Sequence, residues 1–572
     1  MYFSTSSVIC HAKRWLRHFV PLCVFSLTLS ASMLTLPNRM FGWEALAAEC
    51  GGQVYERAIK FWDKRFGGVN GDSLSALAIT SDDGYLLGGS SYSGIGGDKS
   101  EDSRGGSDFW IVKIDGVGTK VWDKRFGGSS HEELYALTAT PDGGILVGGY
   151  SASGVGGDVS EASRGTSDYW ILKTDGSGSK VWDKRFGGSS SDILVDCHVV
   201  SDGGFLLCGN SYSGVTGDKT EENRGLSDYW VVKIDGSGNK VWDKGFGGSD
   251  YDFISAVATT ASNGYLLGGI SYSEADGDKS ETSRGGADYW VVKIDGSGNK
   301  VWDRRFGGSG EDYFTALVAT SDGGHLLGGT SYSGADGDKS EASRGSSDYW
   351  IVKIDGSGNK VWDKRFGGIS SDDLYALAST SDGGCILGGF SDSEVNGDKS
   401  EASRGGSDFW VVKIDVNGNK VWDKRFGGSD NEALRAIAVT DEGGYVLGGV
   451  SSSSADGDKS ESLRGMYDFW IIHMDIDYDC DGIPDGLEVL ADTDPTDPSS
   501  YFAVTAFQLG MNNVLMHWQG GQNVTQIIER TLSLMDPQWV PVYTNSPPTT
   551  ISNLLSIGET NPVAAYRVRV AR

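Results

Sequence analysis

SDYWVVKIDGSGNKVWDKGFGG, residues 227–248, recurs along the chain in close copies 60 residues apart. Two tryptophans of the unit count the copies. One series runs Trp62, Trp122, Trp182, Trp242, Trp302, Trp362 and Trp422, the other Trp110, Trp170, Trp230, Trp290, Trp350, Trp410 and Trp470, seven in each. A fixed period of this length marks a solenoid, a propeller or an array, and it governs how every other motif is read.

Working outward from that stretch, each period holds four strand-like segments. In residues 301–360 they are VWDRRF, YFTALVAT, HLLGGTSYS and DYWIVKID. SDGG joins the second to the third and GSGN joins the fourth to the next period, and both supply residues that tolerate positive φ in tight hairpins. DYWIVKID is apolar on both alternating faces, as expected of a strand covered on both sides. VWDKRF places Trp362 and Phe366 on one face and Asp363 and Arg365 on the other, which suits a peripheral strand whose charges discourage edge pairing. Four strands per repeat, arranged radially, make a propeller blade. The array opens on an unpaired KFWDKRF (60–66) and closes on an unpaired DFWIIHMD (468–475). Pairing the strand of Trp470 with that of Trp62 closes the ring. The expected fold is therefore all-β, a seven-bladed propeller over residues 51–475 followed by a small β-sandwich. A linear solenoid would leave both strands exposed.

The run ALVATSDGGHLLGGTSYS followed by DYWIVKIDGSGNKVWD resembles a kelch blade: a hydrophobic strand ending in Gly-Gly, an aromatic residue, then a distal Trp. It is closer still to the DGGY and DYWVVK repeats of secreted bacterial surface propellers, over roughly residues 53–475. The linker SGADGDKSEASRGSS is longer than in eukaryotic kelch, so that family's adaptor functions are not carried over.

The chain is 572 residues long, 38% hydrophobic and 11% aromatic, which suffices for several cores. Its 85 glycines are periodic and interleaved with Trp, Tyr and Val, a pattern of turn-rich β structure. The net charge is −29. Such a surface repels phosphate backbones and anionic lipid, so nucleic acid is set aside as a partner. Lys13, Arg14 and Arg17, the apolar run from Phe19 to Leu36, and Ala45-Leu46-Ala47 read as a secretory signal peptide over residues 1–47. The mature protein is then expected to be secreted or held at the cell surface, a monomer without a transmembrane segment. Five cysteines follow, in no metal spacing. If Asp202-Gly203 is a two-residue turn, Cys197 faces Cys208 within disulfide reach; two buried thiols are the alternative.

After Asp475 the composition turns acidic. Counting from Asp477, acids fall at positions 1, 3, 5, 9 and 12 (Asp477, Asp479, Asp481, Asp485, Glu488), with Gly482 at position 6 and Ile483 placed to offer its carbonyl. Hard oxygen donors at this spacing, with glycine at the sharp turn, predict a calcium loop within the linker 476–500. With no helix before it, the segment resembles thrombospondin type 3 and dockerin-like loops. Residues 501–572 contain short strand-like segments broken by Asn, Gly and Pro, a small β-sandwich module. It is similar to C-terminal modules of secreted bacterial proteins, which implies surface retention or sorting.

No catalytic motif of the hydrolase elbow, zinc-protease or serine-triad kind occurs. GGDKS at 96–100 is a false phosphate loop, since Asp98 stands where glycine must be and no helix follows. Successive strands alternate direction, so the long linkers and GGSS segments share one rim. That rim repeats an acid–acid–base set: Asp98, Glu101 and Arg104; Asp158, Glu161 and Arg164; Asp218, Glu221 and Arg224; Asp278, Glu281 and Arg284; Asp338, Glu341 and Arg344; Asp398, Glu401 and Arg404; Asp458, Glu461 and Arg464. The Asp108 and Asp72 series add further acids there. One reading is seven equivalent weak sites made strong by multivalency; the other is Arg104 neutralising Asp98 and Glu101 in a self-folded loop. Together these features point to an exported, non-enzymatic binding or adhesion protein. Its partner would be a surface glycan, a matrix polymer or a protein. A propeller-type polysaccharide-degrading enzyme and a structural spacer are the alternatives.

Overall fold

The computed structural model describes residues 57–260, 263–441 and 443–477, and beyond them the strands Phe19–Ser26, Ala503–Leu509, Asn513–Gln519, Thr525–Thr531, Val540–Asn545 with Ser546, Ser552–Gly558 and Ala565–Ala571. It contains no helix among these residues. Two compact units result: Met1–Phe61, Glu442–Gly444 and Met474–Arg572 form one, Trp62–Asp441 and Tyr445–His473 the other.

The larger unit is the seven-bladed propeller. The quoted stretch lies in the third blade, whose strands are Asp192–Val199, Phe205–Ser211, Asp228–Ile234 and Lys240–Phe246, antiparallel in that order. The first strands of successive blades neighbour one another in a closed circuit, from Asp72–Ile79 round to Glu432–Val439 and back, so they line the axis. The last blade combines Glu432–Val439, Tyr445–Ser451 and Asp468–Asp477 with Arg57–Phe66 from the start of the chain. Trp470 Nε1 donates to Asp63 Oδ2 at 3.1 Å, and Ser460 N donates to the same oxygen at 2.8 Å. The ring thus closes on the two end segments, as the sequence predicts.

Aromatic side chains hold blade to blade. Each third strand begins Asp-(Phe/Tyr)-Trp, and the Phe or Tyr packs on the tryptophan of the next blade: Tyr169 on Trp230, Tyr229 on Trp290, and so on to Phe469 on Trp110, with centroids 4.8–5.0 Å apart at all seven junctions. All seven tryptophans of this series are fully buried. At roughly 150–250 Å² per ring and about 25 cal/mol per Å², each supplies several kcal/mol to the interface.

The charges of VWDKRF differ from expectation. Asp123, Asp183, Asp243, Asp303, Asp363 and Asp423 are buried, not displayed on an edge. Asp243 shows why: its carboxylate accepts from Trp230 Nε1 at 3.1 Å, Thr220 N at 2.9 Å and Lys240 Nζ at 2.8 Å. Burial opposes its charge, but those donors outweigh it and hold the carboxyl below its ordinary value.

Of the two readings of Cys197 and Cys208, the structure shows the buried thiols. Both thiols are free. The SDGG turn is a three-residue loop closed by Gly203 N to Val200 O and Val200 N to Gly204 O, with Gly203 at φ +82. Val199 therefore pairs with Phe205, and Cys197 opposes Leu207 while Asp196 opposes Cys208. One residue of slip turns a side chain to the other face. Cys197 packs with Trp230 on one side of the blade, and Cys208 with Trp290 on the other.

The smaller unit holds two antiparallel sheets, one ordered Phe19–Ser26, Ala565–Ala571, Thr525–Thr531, Val540–Asn545 and the other Ala503–Leu509, Asn513–Gln519, Ser552–Gly558. Trp518, buried, donates from Nε1 to Gln526 Oε1 at 2.9 Å across the two. Of the six expected calcium ligands only Asp477 is among the described residues, buried at the end of its strand. Asp479, Asp481, Ile483, Asp485 and Glu488 lie outside them.

Candidate functional site

The long-linker rim is built from charges that bind one blade to the next. Arg104, Arg164, Arg224, Arg284, Arg344, Arg404 and Arg464 each reach the acid of the following blade's linker (Asp158, Asp218, Asp278, Asp338, Asp398, Asp458 and Asp98) at 2.5–3.0 Å. Asp98 also accepts from Arg65 Nη1 at 2.9 Å and from Gly67 N at 3.1 Å. Glu221 instead turns back onto its own blade, accepting from Lys244 Nζ at 2.9 Å and Gly245 N at 3.0 Å. Arg104 therefore neutralises its neighbour's Asp158, not its own Asp98. Behind this belt, the acid that opens each third strand meets the acid that opens the next blade's first strand. Asp108 Oδ1 and Glu132 Oε2 lie 1.8 and 2.9 Å from the point a Cβ on Gly127 would occupy, so only glycine fits there. Burial pushes Asp108, Asp252, Asp288, Asp348 and Asp408 up to about 6.

What the blades do not share lies nearer the axis. Across the seven repeats, no two blades carry the same residue at the position of Ser73, nor at that of Ser90. The first set is Ser73, Glu133, Ile193, Phe253, Tyr313, Asp373 and Ala433. The second is Ser90, Tyr150, Asn210, Ile270, Thr330, Phe390 and Val450. These two positions are direct cross-strand partners on the two innermost strands, at their rim end. The next pair outward, Gly71 with Tyr92, is joined by Tyr92 N to Gly71 O; the Gly71 position repeats only serine, while the Tyr92 position carries tyrosine in four of the seven blades. One step inward, every blade carries a β-bulge at the Ser75 position, which re-aims that side chain toward the adjacent blade. Ser255 Oγ and Thr315 Oγ1 both donate across to the neighbouring first strand.

The result is one asymmetric, aromatic mouth on a symmetric frame. Tyr92, Tyr135, Tyr212, Tyr251 and Tyr332 are each 37–45% exposed there. Ring contacts link Tyr92 with His131, Tyr135 with Tyr150, Tyr251 and Tyr212 with Phe253, Tyr313 with Tyr332, and Tyr375 with Phe390, at 5.5–6.4 Å. Polar groups sit among the rings. Tyr135 Oη donates to Glu133 at 3.0 Å, and Ser347 Oγ donates to Asp373 at 2.8 Å. Burial, with the charge of Glu133, raises Tyr150 to about 12. Burial raises Asp373 as well, and the charge of Asp392 adds to it. Aromatic faces beside hydrogen-bonding groups suit a ligand with alternating apolar faces and hydroxyls. Reading for motifs shared by all blades passes over this site. Its signal is the opposite one, the two columns where the repeats never agree.

No protein-family model matches the chain. Regulatory protein FlaEY of Caulobacter vibrioides is 25% identical over 214 residues, 35% of this chain and 22% of that protein, so the chain matches about a fifth of that relative's length. Among solved structures, the Pan2 WD40 domain of Neurospora crassa is similar over 73% of this chain and 96% of its own, with a TM-score of 0.40 and 11% identity. Puromycin hydrolase is similar over 78% of this chain and 58% of its own, with a TM-score of 0.40 and 11% identity. A Synechocystis apocarotenoid oxygenase mutant is similar over 68% of this chain and 97% of its own, with a TM-score of 0.32 and 10% identity. A propeller is a frame that serves binding, scaffold and catalytic proteins alike, so function is argued from the mouth.

Proposed function

We propose that the protein is an exported, non-enzymatic binding protein of the cell surface or surrounding matrix that holds a glycan at the axial mouth of its propeller. One observation carries the reading: blades otherwise nearly identical differ at two adjacent, facing positions, and the exposed tyrosines of the neighbouring positions, Tyr212 and Tyr332 among them, stand beside these. This moves the binding function from seven equal rim sites to one central site, because the rim charges are engaged with one another. The leader 1–47, calcium held by the acids from Asp477 to Glu488, and retention through residues 501–572 remain part of the proposal, supported by the sequence patterns; on export the strand Phe19–Ser26 leaves with the leader, and the sheet it edges keeps Ala565–Ala571, Thr525–Thr531 and Val540–Asn545. Binding of the full chain to a broad glycan array, alongside Tyr212→Ala and Tyr332→Ala, tests it. Saturable binding weakened about tenfold or more by either substitution is expected, in line with roughly 1–3 kcal/mol for a stacking aromatic. Binding that survives both unchanged overturns it.

Asp373 favours a second reading, a polysaccharide-degrading enzyme. It is a half-buried acid pushed toward its protonated form beside the exposed Asp392, an arrangement that separates an acid from a base. New reducing ends released by the wild type and not by Asp373→Asn would establish that reading in place of the first.

A further inference from the structure

Within the five variable positions of the mouth, Arg435 is the only arginine or lysine. Its guanidinium carbon lies 4.1 Å from the centre of the Tyr375 ring, and Tyr375 is itself packed 5.9 Å from Phe390. Stacking takes up the face of a guanidinium and leaves its edge, where the donors lie in one plane. Arg435 makes no hydrogen bond or ion pair with any described residue. The seven linker arginines, by contrast, each sit on a carboxylate. The acids nearest in sequence to Tyr375 and Arg435 are otherwise engaged: Asp373 accepts from Ser347 Oγ, and buried Glu432 accepts from Gly428 N and Ser451 Oγ. In a chain of net charge −29, an oriented guanidinium left without a carboxylate at a ligand-binding mouth is a specificity device.

We propose that Arg435, held on Tyr375, is a carboxylate-recognition subsite, and that the glycan taken at the mouth carries a single acidic sugar there, of the hexuronate kind. The assignment rests on the reading of the mouth as a glycan site. A planar carboxylate matches the guanidinium edge with two parallel hydrogen bonds. A polyanion does not fit the same place, since Glu133, Glu311, Asp373 and Asp392 share the variable positions of the mouth and repel further negative charge.

The test is calorimetric titration of the full chain with an oligosaccharide bearing one hexuronate residue and with its carboxyl-reduced counterpart. Wild type is expected to bind the acidic form about tenfold or more tighter, with the advantage shrinking as salt rises. Arg435→Gln should erase that preference while leaving the reduced sugar within about twofold of its wild-type affinity. Arg435→Lys should recover only part of it, because an ammonium neither stacks flat nor pairs bidentately. Arg435→Met, which keeps a stem on Tyr375, replaces the glutamine variant should that one melt early. Equal wild-type affinity for the two sugars overturns the subsite and spares the glycan mouth. A preference that persists in Arg435→Gln does the same. Binding of neither sugar by folded wild type overturns both.

Discussion

Asp348 sits fully buried where the fifth blade meets the sixth, and its carboxyl is pushed up to about 6. Burial is the main cause, opposed by the donating N–H of Arg344 and the Arg365 guanidinium, while the facing Asp372 pushes the same way as burial. An unfolded aspartate titrates near 3.8. Between those values the folded chain keeps a proton that the unfolded chain has lost, so stability falls as pH rises through 6. Asp108, Asp252, Asp288 and Asp408 add in the same sense; His325 and His473, lowered to about 4 by burial, act against them. Five groups against two leave melting temperature higher at pH 5 than at pH 7.5. Asp348→Asn should flatten that slope, its neutral amide still accepting from Arg344 N. An equal loss at both pH values would show the carboxylate to be charged in the fold. Such pairs are hard to foresee, because the Asp108 and Asp72 series stand 24 residues apart and meet only across a blade junction. The tryptophans, by contrast, announce themselves by their spacing.

At the scale of the element, the decisive strand is Arg57–Phe66. It supplies Asp63 to Trp470 and Ser460, and Arg65 to Asp98 and Asp468. Deleting residues 53–68 leaves Trp470 without its acceptor and the last blade with a bare edge. A fall of more than about 10 °C in melting temperature is expected, the order that several lost kcal/mol produce. Deleting 501–572 should move the propeller transition by no more than a few degrees, and comparable falls in the two deletions would refute closure by the N-terminal strand. Strand number, order and partners were all readable from period and alternation. Register was not: Gly203 in the left-handed region lengthens the hairpin loop by one residue, and that alone decides whether Cys197 looks toward Trp230 or Trp290. Alternation fixes which residues share a face, but the turn decides which face that is.

At the scale of the whole molecule, the number seven was legible because the first and last segments complete one another. The site was not, because a repeat draws the eye to what recurs. The calcium loop is a sequence reading that solution measurement can decide: with calcium, residues 476–500 should resist protease, and a chelator should expose them while the propeller transition stays put. Equal cleavage in both conditions would remove metal from the account. The closed ring also has a mechanical side. Trp62 lies beside His473 and Arg65 beside Asp468, so the two end strands run antiparallel and the chain enters and leaves the propeller at the same end of one strand pair. Tension between the flanking segments therefore peels that pair apart bond by bond and does not shear it. Under load the seventh blade opens first, and the strand that carries Arg435 belongs to that blade, so pulling on the chain disturbs the mouth as well.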